Sequence, residues 1–301
     1  MRSGKIYQKI LTYLLLLSLT AAFMFDKPLV TFASETEKSF SRMGTSTVLV
    51  TESGTQYIKF KSGVTGYLTL KIASLSNVSG TFADARVTFC DGSKNALGQK
   101  NEFLTTNSQL AERYRVALLK YSINFKKSNC YSRTYGVRKN TTYYFAVKTK
   151  DPIKVTAVVK SVSKGKNTTL KTAKSISKNK KTENVIIAGD KKADWYKINL
   201  KKAGKIQLEY TAKTNGSIVL PDNKSGIRIS FCNSDGTLFY VNGNNKSEDY
   251  LSSVVSQSWC RFYRVNSSGS KIDLAAGTYY IKVERLTKKS SGQYTLKWST
   301  Y

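Results

Sequence analysis

Histidine is absent from this chain of 301 residues. Its absence removes the Ser-His-Asp and Cys-His triads and most zinc sites. No CxxC spacing offers a thiolate metal site, and no GxxxxGK[ST] segment offers a phosphate loop. Acids are scarce: 19 Asp and Glu stand against 49 Lys and Arg. They are scattered, and no stretch presents the carboxylate pair that glycoside hydrolysis requires. An enzyme is not expected.

Long apolar runs are also rare. The one run, Ile10 to Phe25, follows a positive segment with Arg2, Lys5 and Lys9, and precedes Thr31-Phe32-Ala33 with small residues at the −3 and −1 positions. Residues 1–33 therefore read as a secretory signal peptide. The run is somewhat short for the roughly 20 residues a bilayer span needs. With no second run, no integral membrane span is expected after cleavage, and the mature chain is expected to be secreted or associated with the cell envelope. No lipobox cysteine, sorting motif or C-terminal anchor is visible.

Export puts the four cysteines in an oxidising compartment. Cys90 lies in VTFCDG and Cys232 in ISFCNSDG, the same local pattern. The favoured pairings are Cys90–Cys130 and Cys232–Cys260, although four cysteines allow three connectivities.

The formal net charge is +30. Removing residues 1–33 removes four basic residues and one acid and leaves about +27. Such a surface attracts polyanions. Outside a cell these include anionic cell-wall polymers and acidic glycans. The competing reading is that lysine keeps strand surfaces wet and the charge serves solubility only.

Three blocks occur twice in the same order: QYIKF (56–60) and DWYKI (194–198), FCDG (89–92) and FCNSDG (231–236), TTYYFAVK (141–148) and GTYYIKVE (277–284). The chain is a tandem duplication. Within each copy apolar residues alternate with polar ones, as with Leu68, Leu70 and Ile72 or Tyr294, Leu296 and Trp298. This is the period of half-buried antiparallel strands, and turn residues such as Asn233-Ser-Asp-Gly236 separate them. The fold expected is all-β, two tandem antiparallel β-sandwiches, over 34–160 and 182–301. Residues 109–121 are the best helix candidate, with a strand from Tyr114 equally compatible. Between the sandwiches, 161–181 is a lysine-rich connector, flexible in part. Leu170, Ala173 and Ile176 recur at helical spacing, so part of it is read as the first element of the second domain.

ADWYKINL (193–200), AGKIQLEY (203–210), SDGT (234–237), AAGTYYIKV (275–283) and SGQYTLKW (291–298) resemble the bacterial pre-peptidase C-terminal domain, with a weaker echo in the first copy. The resemblance implies a jelly-roll-like sandwich and a non-catalytic accessory or binding module. Relatives attached to collagenases bind calcium through acids around the first strands. Here the positions are Asp190 and Asp194, with Lys191 and Lys192 between them and Gln56 in place of Asp194 in the first copy. They are weak calcium candidates, and no other cofactor is expected.

Two sets of residues are candidates for ligand binding. One is the basic connector: Lys160, Lys164, Lys166, Lys171, Lys174, Lys178, Lys180 and Lys181. The other is the outward side of the repeated strand, Tyr144 and Lys148 in one copy, Tyr280 and Lys282 in the other. Outward tyrosines can stack on sugar rings while lysines meet acidic substituents. The function expected is a secreted, non-catalytic binding or adhesion module for an anionic polysaccharide or cell-wall polymer. The alternative is a structural module with a protein partner.

Overall fold

The computed structural model describes residues 37–301 apart from 52–53, 76–81, 99, 107–131, 191–192, 216–226, 240–247, 252–257 and 286. The signal segment, the helix candidate 109–121 and Cys130 lie outside the described residues. Among the described residues all regular structure is β-strand.

The first copy supplies β1 (Ser39–Phe40), β2 (Gly44–Val50), β3 (Gly54–Lys61), β4 (Gly66–Ser74), β5 (Asp84–Cys90), β6 (Glu102–Thr105), β7 (Ser132–Val137), β8 (Thr142–Thr149) and β9 (Ile153–Ser161). The second supplies β10 (Lys174–Ser175), β11 (Thr182–Ile186), β12 (Asp194–Leu200), β13 (Ile206–Thr214), β14 (Ile227–Cys232), β15 (Glu248–Leu251), β16 (Ser258–Phe262), β17 (Arg264–Val265), β18 (Lys271–Ile272), β19 (Gly277–Arg285) and β20 (Gly292–Thr300). A five-stranded sheet β1-β3-β8-β5-β6 faces a four-stranded sheet β2-β9-β4-β7; the second copy repeats both, as β10-β12-β19-β14-β15 and β11-β20-β13-β16. The short pair β17–β18 has no counterpart among the described residues of the first copy. Even the parallel pairing of a two-residue first strand, β1 on β3 and β10 on β12, recurs. The duplication legible in the sequence is a duplication of topology.

Alternation builds each core. In β4, Leu68, Leu70 and Ile72 point inward while Thr69 and Lys71 point away. Phe89 in β5 packs against Tyr135, Tyr143 and Phe145 with ring centroids 4.5–5.0 Å apart. In the second copy Phe231 stacks on Phe262 at 4.0 Å and on Tyr279 at 5.5 Å. Each such ring, fully buried, stabilises the fold by roughly 1.5–3 kcal/mol. The turn after each β5-type strand is held by an aspartate: Asp91 Oδ1 accepts from the amides of Ser93 and Asn95, and Asp235 Oδ1 from that of Thr237.

The two sandwiches abut through strands β7 and β4 of the first and β11, β13 and β20 of the second. Backbone meets backbone at Gly136, which pairs with Ile187 across the boundary. A Cβ at Gly136 would stand 2.1 Å from the Ile186 carbonyl oxygen, so this approach requires glycine. Ser291 fastens the same point, its hydroxyl accepting from the Gly136 amide at 2.7 Å and donating to the Ile186 carbonyl at 3.1 Å. Val162, Val185 and Ile187, with Tyr67, form a small apolar cluster beside it. The contact also explains why β20 departs from alternation: Gln293 and Thr295 are buried although they point away from the core of their own sandwich.

The connector departs from its expected form. Residues 168–176 are not helical: Thr169 and Thr172 close a turn through their hydroxyls, and the chain then extends into β10. Apolar spacing at Leu170, Ala173 and Ile176 reflects docking onto the second sandwich, with Leu170 against Gly236 and Ile176 in the core. Backbone bonds secure the stretch. Trp195 donates to the Asn167 carbonyl at 2.7 Å, Ile176 to that of Lys197 at 3.0 Å, and Asn179 to that of Trp298 at 2.8 Å.

Candidate binding faces

The alternation that buries one side of each five-stranded sheet sets the chemistry of the other. Along β3, Ile58 and Phe60 enter the core, which leaves Tyr57 and Lys59 on the outer face. Along β8, Tyr143, Phe145 and Val147 go in, and Tyr144, Ala146 and Lys148 stay out. Register places Tyr57 opposite Ala146 and Lys59 opposite Tyr144. The Tyr57 and Tyr144 rings therefore meet diagonally, edge to face, with centroids 6.4 Å apart. Lys94, from the turn after β5, sets its ammonium 4.5 Å from the Tyr57 centroid and 5.3 Å from that of Tyr144. Lys148 is exposed and has no carboxylate partner among the described residues. Glu37 accepts there from Lys59 at 2.7 Å and from the Tyr144 hydroxyl at 3.2 Å. Those bonds, that of Lys59 first, hold its carboxyl below the usual range.

The second copy repeats the design. Trp195 pairs with Lys282, and Lys197 with Tyr280. The Trp195 and Tyr280 rings meet edge to face at 6.5 Å, with the Lys282 ammonium 5.6 Å from the indole centroid. Lys282 is also ion-paired with Glu284, which in turn holds Arg228. Sequence reasoning named Tyr144, Lys148, Tyr280 and Lys282 as outward residues of the repeated strand. It missed Tyr57, Trp195 and Lys94. Tyr57 and Trp195 are themselves equivalent positions in the repeated QYIKF/DWYKI block, a signal the pairing of blocks carries.

The connector lysines do not gather into one site. Lys160, Lys166, Lys171, Lys174, Lys178, Lys180 and Lys181 are exposed along its length. Lys178 donates to the Thr300 hydroxyl at 2.6 Å. Lys164 is a correction: it is not offered to a ligand but turned inward. Its ammonium donates to both oxygens of Asp194, at 2.8 and 3.0 Å, and to the Val185 carbonyl at 2.8 Å.

Asp194 is fully buried, and Tyr294 donates to its second oxygen at 2.7 Å. The Tyr196 and Tyr294 hydroxyls lie 2.6 Å apart, and Asn184 donates to Tyr196 at 2.9 Å. Burial raises the Asp194 carboxyl against the pull of Lys164, and it pushes the Tyr196 phenol up to about 12. Of the two calcium candidates, Asp194 thus has its oxygens taken by an ammonium and a phenol, and Asp190 accepts from Arg138 at 3.3 Å. No group of three or more metal-ligating acids or cysteines occurs among the described residues.

Cys90 carries a free thiol in this structure, buried on the outer face of β5 and donating to the Thr88 carbonyl at 3.6 Å. No bridge of Cys90 to Cys130 is formed here; Cys130 and the side chain of Cys260 lie outside the described residues.

No protein-family model matches the chain, and no curated protein does. Among solved structures, the pre-peptidase C-terminal domain of a collagenase from Bacillus anthracis is similar at 16% identity over 42% of this chain and 94% of that one, with a TM-score of 0.27. The tandem CBM22-1–CBM22-2 domains of Xyn10C from Paenibacillus barcinonensis are similar at 8% identity over 87% and 93%, with a TM-score of 0.20.

Proposed function

We propose that this chain is an exported, non-catalytic binding module that holds an anionic extracellular polysaccharide or cell-wall polymer on the outer faces of its two sandwiches. One observation carries the reading. Both copies place an edge-to-face aromatic pair at equivalent positions of the same sheet, and each sets a lysine ammonium over a ring, Lys94 from a turn in one copy and Lys282 from the strand in the other. An aromatic face accepts the C–H side of a sugar ring, while ammonium groups beside it attract carboxylate, sulfate or phosphate substituents. The leader-like segment before residue 34 and the net charge of the chain agree with a polyanionic partner outside the cell.

The test is affinity electrophoresis of residues 34–301 through gels containing a sulfated, a uronic-acid or a neutral polysaccharide, at stepped salt. Retardation by the acidic polymers that fades as salt rises is expected, because bound counterions are released. Equal retardation by the neutral polymer, or none by any, would overturn the reading.

A further inference from the structure

A cleft of about 950 Å³ opens at one end of the second sandwich, and its edge reaches Lys197, the residue opposite Tyr280. Residues 175–178 of the connector form one wall, the end of β12 and the turn after it another, and the last residues of β20 the third. Lys178, Lys197, Lys201 and Lys202 line it, against a single carboxylate side chain, that of Asp273. None of the four lysines has a carboxylate partner among the described residues. The walls are fixed: the Trp298 indole donates to the Ile176 carbonyl at 2.8 Å, and the Ile176 and Asn179 amides are bonded to Lys197 and Trp298. Four lysines without a carboxylate partner thus line one preformed concavity. Packing alone does not call for that, and like charges held together repel.

We infer that this cleft is an anion-binding site that takes the sulfate or phosphate groups of a polysaccharide chain. Lysines meet the oxygens of sulfate and phosphate as point charges and need no fixed bidentate geometry to hold them. A single-stranded nucleic acid would need open ring faces to stack its bases. Trp298 is only 4% exposed, and Tyr301, 47% exposed, has the Arg261 guanidinium over one face at 4.5 Å, which leaves at most one ring face for a run of bases. The inference rests on the chain being a polyanion-binding module and adds a second locus, which adjoins the aromatic face of the second sandwich at Lys197. It also gives the docked connector a role, as the wall that carries Lys178.

The experiment measures binding of a heparin hexasaccharide to residues 34–301 by calorimetry at several salt concentrations. It compares the unaltered chain with Lys178→Gln/Lys201→Gln/Lys202→Gln, which leaves Lys197 opposite Tyr280 in place, and with a charge-matched control, Lys71→Gln/Lys150→Gln/Lys154→Gln, whose lysines are exposed on the first sandwich. Thermal unfolding confirms that each variant folds. The cleft variant should bind roughly tenfold or more weakly, as expected for the loss of three exposed charge contacts. Its plot of log affinity against log salt should lose a slope of about two to three. The control should bind like the unaltered chain. Equal losses in both variants would overturn the cleft and leave the proposed function standing, with binding spread over the surface. Failure of the unaltered chain to bind would overturn both. Tighter binding of a single-stranded oligonucleotide than of the hexasaccharide at matched charge would overturn the assignment to polysaccharide.

Discussion

The Lys164 ammonium lies 2.8 Å from one oxygen of Asp194 and 3.0 Å from the other, so a lysine of the basic connector is the counter-ion of a carboxylate with no solvent exposure. The connector is thereby part of the second sandwich, and one lysine of the charge run is structural.

Removing that ammonium leaves the carboxylate buried and unpaired. Lys164→Met should destabilise the chain by about 3–5 kcal/mol at neutral pH, read from denaturant unfolding. The pH dependence has a definite sign. Burial raises the folded pKa of Asp194 above 3.8, so protonation favours the folded state. The associated stability is present in acid and is lost as pH rises through the folded pKa. Without Lys164 that pKa rises further. The deficit of Lys164→Met should therefore be largest at pH 7 and shrink toward pH 4. A deficit independent of pH would contradict the pairing.

The two phenols above that carboxylate should resist ionisation. Tyr196 is pushed to about 12 by burial and by Asp194, and Tyr294 higher than its ordinary value for the same reasons. In an alkaline titration followed by tyrosinate absorbance, these two should be the last to ionise. The stability that Tyr196 contributes, full below pH 10, should be lost as pH passes about 12. Ionisation of all 19 tyrosines in one step near 10 would contradict the buried network.

Gly136→Ala should cost about 1–3 kcal/mol, because a methyl group would meet the Ile186 carbonyl oxygen at a distance no side chain adopts. Ser291→Ala should cost about the same by leaving the Gly136 amide without its acceptor. Both changes lie where the sandwiches meet, so thermal unfolding should broaden or split as well as shift. A transition of unchanged midpoint and width would show that the contact contributes nothing.

Cys90 should not react with a water-soluble alkylating reagent in the native chain, because burial both shields the thiol and raises its pKa. It should react on unfolding without reductant. Failure to react until reductant is added would show that a disulfide holds it after all.

Most of the fold was legible because its determinants are local. Period-two runs such as Ile206, Leu208 and Tyr210, and Asp-Gly turns, specify strands whatever they pair with, and recurrence of three blocks exposes the duplication. The connector misled because Leu170, Ala173 and Ile176 mark where the chain docks, and docking points can mimic a helical period. Lys164 misled because a charge run reads as solvated unless its buried partner, 30 positions away, is known. On the binding faces, Tyr144 and Tyr280 were readable from alternation along one strand. The outward positions of Tyr57 and Trp195 were equally readable, but their contacts with Tyr144 and Tyr280 were not, since the diagonal contact depends on the register between β3 and β8 and between β12 and β19.

The measurement that bears most directly on the repeated aromatic face is the affinity of residues 34–301 for an acidic oligosaccharide, with and without Tyr57→Ala/Trp195→Ala. Each ring lost from a stacking surface should weaken binding by about 0.5–1.5 kcal/mol, so the double change should reduce affinity by roughly tenfold. The melting temperature should be nearly unchanged, because both rings lie on the outer face. Unaltered affinity in a folded double variant would contradict the account.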